Sequence, residues 1–243
     1  MPHLIFNRAS SISNPKEMTL NPDNLELLSS VLNSWEGGYL YLMEGPNMKG
    51  IHRDIHWVMF QASISGWETT LIDAANCFNP QLLDSYAQQN SVETSDILQS
   101  IQISRPFQMF QAASIVDKVY QQLSGEAGKI IVVTRFPSMF YDPSASEAQD
   151  SGLTTGELFH HSVGLLQRLA HKGNVVILTE KAQTPEDTKL GFAVNVHIRF
   201  DQVGTEYTTA QLLSHPTYPG RTAKQKMQKP KKSIHQLSLE DFF

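Results

Sequence analysis

Tyr39-Leu-Tyr-Leu-Met43 runs into Glu44-Gly45-Pro-Asn-Met-Lys-Gly50 and then into Ile51-His52, and the architecture is read from this passage. Five apolar or aromatic residues in a row read as a buried strand. Gly45 to Gly50 reads as a turn, and His52 to Ser63 as a helix with an apolar face. A strand feeding a turn and then a helix is the opening of a βαβ unit, which implies a parallel sheet covered by helices.

The same alternation continues toward the C-terminus. Strands are predicted at Thr69-Thr-Leu-Ile-Asp73, Ile101-Gln-Ile-Ser104, Lys129 to Arg135 and Asn174 to Glu180, with helices over 80–89, 91–99, 107–123 and 154–172 between them. Residues 192–200 and 205–213 read as antiparallel edge strands. Toward the N-terminus, Asn21-Pro22 opens a helix whose stripe is Leu25, Leu27, Leu28, Val31 and Leu32, and Gly37-Gly38 stops it. Residues 1–20 are polar, broken by Pro15, and read as an arm. The expectation is one three-layer α/β domain with a mostly parallel sheet over residues 21–220. A flexible arm precedes it, and a flexible basic tail over 221–243 follows.

Composition limits the function classes. With 243 residues, 40% hydrophobic and 18% charged, the chain has enough apolar material for one real core and is not low-complexity. Its longest apolar stretches, Lys129-Ile-Ile-Val-Val-Thr134 and Asn174-Val-Val-Ile-Leu-Thr179, fall far short of the roughly 20 residues a membrane span needs. The opening Met1-Pro-His-Leu-Ile-Phe-Asn-Arg8 lacks a basic start and a long apolar segment, so no secretory signal is predicted. A single cysteine, Cys77, fits a reducing compartment and reads as a packing residue. Cytoplasmic or nucleoid-associated placement is expected, nuclear in a eukaryote, with no membrane partner.

Charge is segregated. The formal net charge is -5, yet from Arg221 onward six basic residues (Arg221, Lys224, Lys226, Lys229, Lys231, Lys232) face only Glu240 and Asp241, a tail charge of +4. The body before it therefore carries -9. An acidic body is a poor match to a nucleic-acid groove, so DNA contact is expected from Lys224, Lys226, Lys229, Lys231 and Lys232 or through a partner.

Strand, G-x-x-x-x-G and helix together form the geometry in which backbone N–H groups wrap a phosphate. Gly45, Lys49 and Gly50 are the residues of that pattern here. A working phosphate loop continues with Lys and Ser or Thr, whereas this chain has Ile51 and His52. The loop reads as degenerate, with residual ATP binding through its backbone left open and no other cofactor implied.

The core then resembles the RecA/RadA recombinase family, and its archaeal and eukaryotic paralogs in particular, over residues 21–220. Leu71-Ile72-Asp73-Ala74-Ala75-Asn76-Cys77-Phe78-Asn79-Pro80 stands where the family has Ile-Asp-Thr-Glu-Gly-Thr-Phe, and Ser104-Arg105-Pro106-Phe107 where it has Ala-Arg-Ala-Phe. Ile130-Ile-Val-Val-Thr134 matches its Leu-Ile-Val-Asp-Ser strand, and Val175-Val-Ile-Leu-Thr-Glu-Lys181 its Val-Val-Ile-Thr-Asn-Gln strand. The resemblance places the family's catalytic glutamate on Ala75, its Mg²⁺-linked aspartate on Thr134 and its sensor glutamine near Lys181. Phosphoryl transfer needs metal, phosphate lysine and water-positioning group together, so the expectation is a RecA-like fold without catalysis and without catalytic or metal-binding residues.

Two tethering motifs complete the sequence. Gln236-Leu-Ser-Leu239-Glu-Asp-Phe242-Phe243 fits Q-x-x-[LIM]-x-x-F-F, the pattern resembling the box that binds a PCNA-type sliding clamp. In one helical turn Leu239, Phe242 and Phe243 form a three-pronged apolar plug, with Gln236 free to hydrogen-bond at a pocket's edge. The bacterial β clamp is the competing partner, although its ligand pattern wants an aromatic where Glu240 stands. Phe6-Asn-Arg-Ala9 resembles the F-x-x-A hook by which recombinases of this family engage a neighbouring protomer. These readings imply an adaptor in DNA recombination or repair, partnered by a clamp and a recombinase or DNA polymerase. The alternatives are an accessory subunit of a translesion polymerase assembly and an ATPase that uses Lys49. His52 and His56, one turn apart, and His160-His161 with Glu157 are the nearest approaches to metal-ligand spacing, and neither has an evident third ligand. Arg105 and Arg135 are candidates for DNA contact or for ion pairing, and Met109 and Phe110 for helix core.

Overall fold

A computed structural model describes residues 19–20, 34–46, 48–141, 154–182, 193–203 and 207–226. The arm with Phe6 and Ala9, the helix predicted from Asn21, and the tail with Lys229, Lys231, Lys232, Gln236, Leu239, Phe242 and Phe243 lie outside the described residues.

In chain order the elements are β1 (Thr19–Leu20), β2 (Trp35–Glu36), β3 (Leu40–Glu44), α1 (Met48–Ile64), β4 (Thr69–Asp73), α2 (Pro80–Gln89), α3 (Thr94–Gln99) and β5 (Ile101–Ser104). There follow α4 (Met109–Leu123), β6 (Ile130–Thr134), α5 (Phe136–Tyr141), α6 (Thr155–His171), β7 (Val175–Glu180), β8 (Val196–Val203), β9 (Tyr207–Ser214) and β10 (Arg221–Lys226). β1 and β2 pair with each other, and the other strands form one eight-stranded sheet in the order β10-β9-β8-β3-β7-β6-β4-β5. All neighbours from β8 to β5 are parallel, while β9 runs antiparallel to both β8 and β10.

Alternation along the central strands feeds two cores. Tyr41, Met43, Leu71, Ile130, Val132, Val175 and Ile177 pack on one face beneath Ile55, Val58, Met59 and Phe60 of α1 and Leu83 of α2. Leu40, Leu42, Ile72, Ile131, Val133, Val176 and Leu178 pack on the other face with Val116 of α4, Phe136 and Phe140 of α5, and Leu166 and Leu169 of α6. A strand with both faces covered has no polar side, which is why these runs are continuously apolar.

Several boundaries differ from expectation. α1 begins at Met48, so Lys49 and Gly50 stand in its first turn and the expected six-residue turn is far shorter. The reason is Gly45: a Cβ there would meet the Phe200 carbonyl oxygen at 2.4 Å, so the chain turns against the β8 backbone and enters the helix at once. β8 is an interior strand between β3 and β9, with Val196 and Ile198 fully buried, and not an edge. The sheet also extends past the expected domain end at residue 220. Arg221, Lys224 and Lys226 belong to β10, the strand that closes this side of the sheet.

Candidate functional site

The connection leaving β3 passes to one side, to β4, whereas the connection leaving β7 crosses back to β8 on the other side of β3. Crevices outside the carboxyl ends of strands at such a reversal are where open α/β sheets bind ligands. A cavity of about 290 Å³ lies there, lined by Met48, His52, Ala75, Arg135, Ser138, Glu180 and Lys181. These residues come from α1, the β4 and β6 exits, α5 and the end of β7, so four parallel strands deliver them to one place.

The polar groups around this cavity are bonded to the protein itself. Asp73, with a fully buried side chain, accepts the backbone N–H groups of Cys77 at 2.9 Å and Phe78 at 3.0 Å. Thr134 Oγ1 accepts the Ala75 N–H at 3.0 Å and donates to Asp73 Oδ1 at 3.2 Å. Arg105 Nε lies 3.5 Å from Asp73 Oδ2. Burial pushes the Asp73 carboxyl up, but the Cys77 and Phe78 amides outweigh it and hold the group below the usual carboxylate range. The β4 exit from Asp73 to Phe78 is thus a loop wound around one carboxylate.

His56 continues this bracing from α1. Its Nδ1 lies 2.6 Å from the His52 carbonyl, and its Nε2 accepts the Asn79 N–H at 2.8 Å. A carbonyl can only accept and an amide can only donate, so the ring is neutral with its proton on Nδ1. Burial lowers the affinity of His56 for a second proton, and burial together with the neighbouring His56 does the same to His52. Asn79 in turn caps α2 by accepting from the Gln81 and Leu82 amides. On the far wall Glu180 accepts the Ser138 N–H at 2.8 Å and the Lys181 N–H at 2.6 Å, and burial still raises its proton affinity. Arg135 holds a left-handed backbone at φ 54, which turns the chain from β6 directly into α5.

The residues singled out in the sequence are distributed unevenly here. His52, Ala75 and Lys181 line the cavity, and Thr134 is buried behind it. Lys49 is exposed and does not line it, and Ile51 is buried in the core beside α1. Arg105 forms the ion pair with Asp73, and the burial of Cys77 raises its thiol's proton affinity. His161 pairs with Asp117 at 2.9 Å, and Glu157 closes the capping box of α6 with Thr154. No group of three metal-ligating side chains occurs among the described residues. Met109 is buried as helix core.

Sequence reading passed over Glu180 and Glu44. Both end apolar strands, where an acid looks like the first solvated residue, yet Glu44 is fully buried and lies 2.9 Å from both His197 Nε2 and Arg199 Nη2. The available signal was the pair of cationic residues at alternate positions of β8. No described helix is long and apolar enough to cross a membrane. Compared with known proteins, the chain matches no characterised family and no curated protein.

Proposed function

We propose that the chain is a noncatalytic relative of the RecA/RadA recombinases that acts as an adaptor in DNA recombination or repair, docked on a sliding clamp of the PCNA type by Gln236, Leu239, Phe242 and Phe243. The observation that carries the noncatalytic reading is the closed network at the strand ends. Asp73 is occupied by two amides and Thr134, and the neighbouring Ala75 position offers a methyl group where hydrolysis needs a carboxylate. A water-positioning base and a metal ligand are replaced by groups that brace a loop. Lys49, exposed in the first turn of α1 and outside the cavity, gives no support to an ATPase that relies on it.

The docking half of the proposal rests on the sequence of the tail, where two adjacent phenylalanines end a lysine-rich segment with a leucine at helical spacing. Phe6 and Ala9 would engage a recombinase protomer, and the basic tail would serve as a DNA-proximal linker. Calorimetric titration of PCNA-type and bacterial-type clamps with the full chain, and with a chain ending at His235, tests it. Binding to the PCNA-type clamp that disappears on truncation and in Phe242→Ala/Phe243→Ala is the expected result. Affinity unchanged by both variants removes the docking role, and phosphate release at saturating ATP and Mg²⁺ removes the noncatalytic one.

A further inference from the structure

The sheet ends differently on its two sides. β10 presents Arg221 and Lys224, both exposed, and cations along an outer strand repel a second copy of that same strand. β5, at the other end, is hydrogen-bonded to β4 on one side, and among the described residues nothing pairs with its outer side. This edge carries Ile103, 36% exposed, with Leu98 at 37% on α3 and Phe107 at 85% just past the strand. The Phe107 N–H donates to Gln111 Oε1 at 2.8 Å, which anchors the backbone beneath a ring left in water. Large apolar side chains gathered along an unpaired strand mark an interaction surface.

Two observations say what fits there. The first is charge: Glu93 and Asp96, both exposed, stand on the segment leading into β5, and Arg105 at its exit is turned to Asp73. The edge therefore favours a cationic strand, and Arg221 and Lys224 supply one on β10. The second is direction. β10 is antiparallel to β9, and β9 is antiparallel to β8, so β10 runs the same way as β8, β3, β7, β6, β4 and β5. A second copy displaced sideways along the sheet thus brings its β10 beside β5 as a parallel neighbour, with no chain reversed.

We propose that the β5 edge docks the β10 edge of a second copy of this chain, head to tail, with Ile103 and Phe107 as apolar anchors and with Glu93 and Asp96 facing Arg221 and Lys224. The contact is strand addition, in which backbone hydrogen bonds supply affinity and the flanking side chains supply selectivity. Because the two surfaces differ, each added copy presents a fresh β5 edge, and growth continues unless the sheet's twist closes a ring. The proposal uses neither the cavity nor the clamp motif, so it stands or falls independently of the adaptor reading.

Sedimentation velocity of the full chain over a concentration series at low salt tests it. Mass should grow past a dimer as concentration rises, and raised salt should weaken the association. Phe107→Asp, a change at a solvent-facing ring, should weaken it by on the order of thirtyfold. Lys224→Glu should weaken it by on the order of tenfold, and Asp96→Lys added to Lys224→Glu should restore it. A monomer at every concentration overturns the proposal, as does association that Lys224→Glu leaves intact or that the charge exchange fails to restore. Association abolished by removing residues 1–18 but insensitive to Lys224→Glu would assign the edge to the N-terminal arm and equally overturn it.

Discussion

Thr134 Oγ1 donates to Asp73 Oδ1 across 3.2 Å, joining the last residue of β6 to the last residue of β4. The same oxygen accepts the Ala75 N–H, so one hydroxyl holds both the carboxylate and the loop that leaves it. Thr134→Val keeps the shape and leaves a buried amide and a buried carboxylate short of a partner. A loss of about 1–3 kcal/mol is expected by urea denaturation. Thr134→Asp should be worse near neutral pH than at pH 4, since two buried carboxylates a hydrogen bond apart do not both ionise readily. Equal stability of the Asp variant at both pH values would contradict this picture.

The His56 ring bridges α1 to the start of α2 only while it is neutral. Its folded proton affinity lies below the ordinary value of 6.5, so acidification loads protons on the unfolded chain first. Stability on this account is intact above pH 6.5 and falls as the pH drops below it. Nitrogen-resolved NMR should find the Nδ1–H tautomer and a midpoint below 6.5. A midpoint above that value, or a proton on Nε2, would refute the assignment.

Asp54 works in the opposite sense. Burial on α1 pushes its carboxyl up to about 7, against the partial relief of Arg53 at 3.6 Å. Between the ordinary carboxylate range and pH 7 the folded chain keeps a proton that the unfolded chain has released, so stability declines as the pH rises through that window. Asp54→Asn removes the titration. The variant should gain on the wild type from pH 5 to pH 8 by on the order of 1 kcal/mol or more, read from urea midpoints.

Two glycines separate packing from conformational freedom. Gly45→Ala would drive a methyl into the Phe200 carbonyl, a backbone atom that cannot swing aside, and a loss of about 1–3 kcal/mol is expected. Gly164, inside α6, has nothing within 4 Å of a Cβ, so Gly164→Ala should stabilise by roughly 0.5–1 kcal/mol. Thermal melts of the two variants should shift in opposite directions.

The central strands were legible because a strand covered on both faces must be apolar at every position, and β3, β4, β6 and β7 are so nearly throughout. The start of α1 was not, because Gly50 looks like a loop residue and the constraint that shortens the turn comes from Phe200, far along the chain. β10 was hidden for the opposite reason. Arg221-Thr-Ala-Lys-Gln-Lys226 has almost no apolar face, and its pairing with β9 alone makes it a strand. α5 announces itself only in hindsight, through Phe136 and Phe140 one turn apart and both buried. At the site, Ala75, His52 and Lys181 could be placed from spacing. The neutral His56 and the fully engaged Asp73 could not, since hydrogen-bond partners depend on which loops meet.

The position of β3 in the sheet also bears on synthesis. Its neighbours are β7 and β8, so Leu40 waits for Val176 and Tyr41 for Val196 before either edge is paired. β4, β5 and β6, by contrast, lie close together in sequence and complete their own ladder first. On a ribosome the strand Leu40–Glu44 therefore emerges early and stays unzipped until most of the polypeptide has been made. A sticky apolar segment held open that long is a natural client for a chaperone, and the last step of folding is the insertion of β3 into a gap that the later strands have built around it.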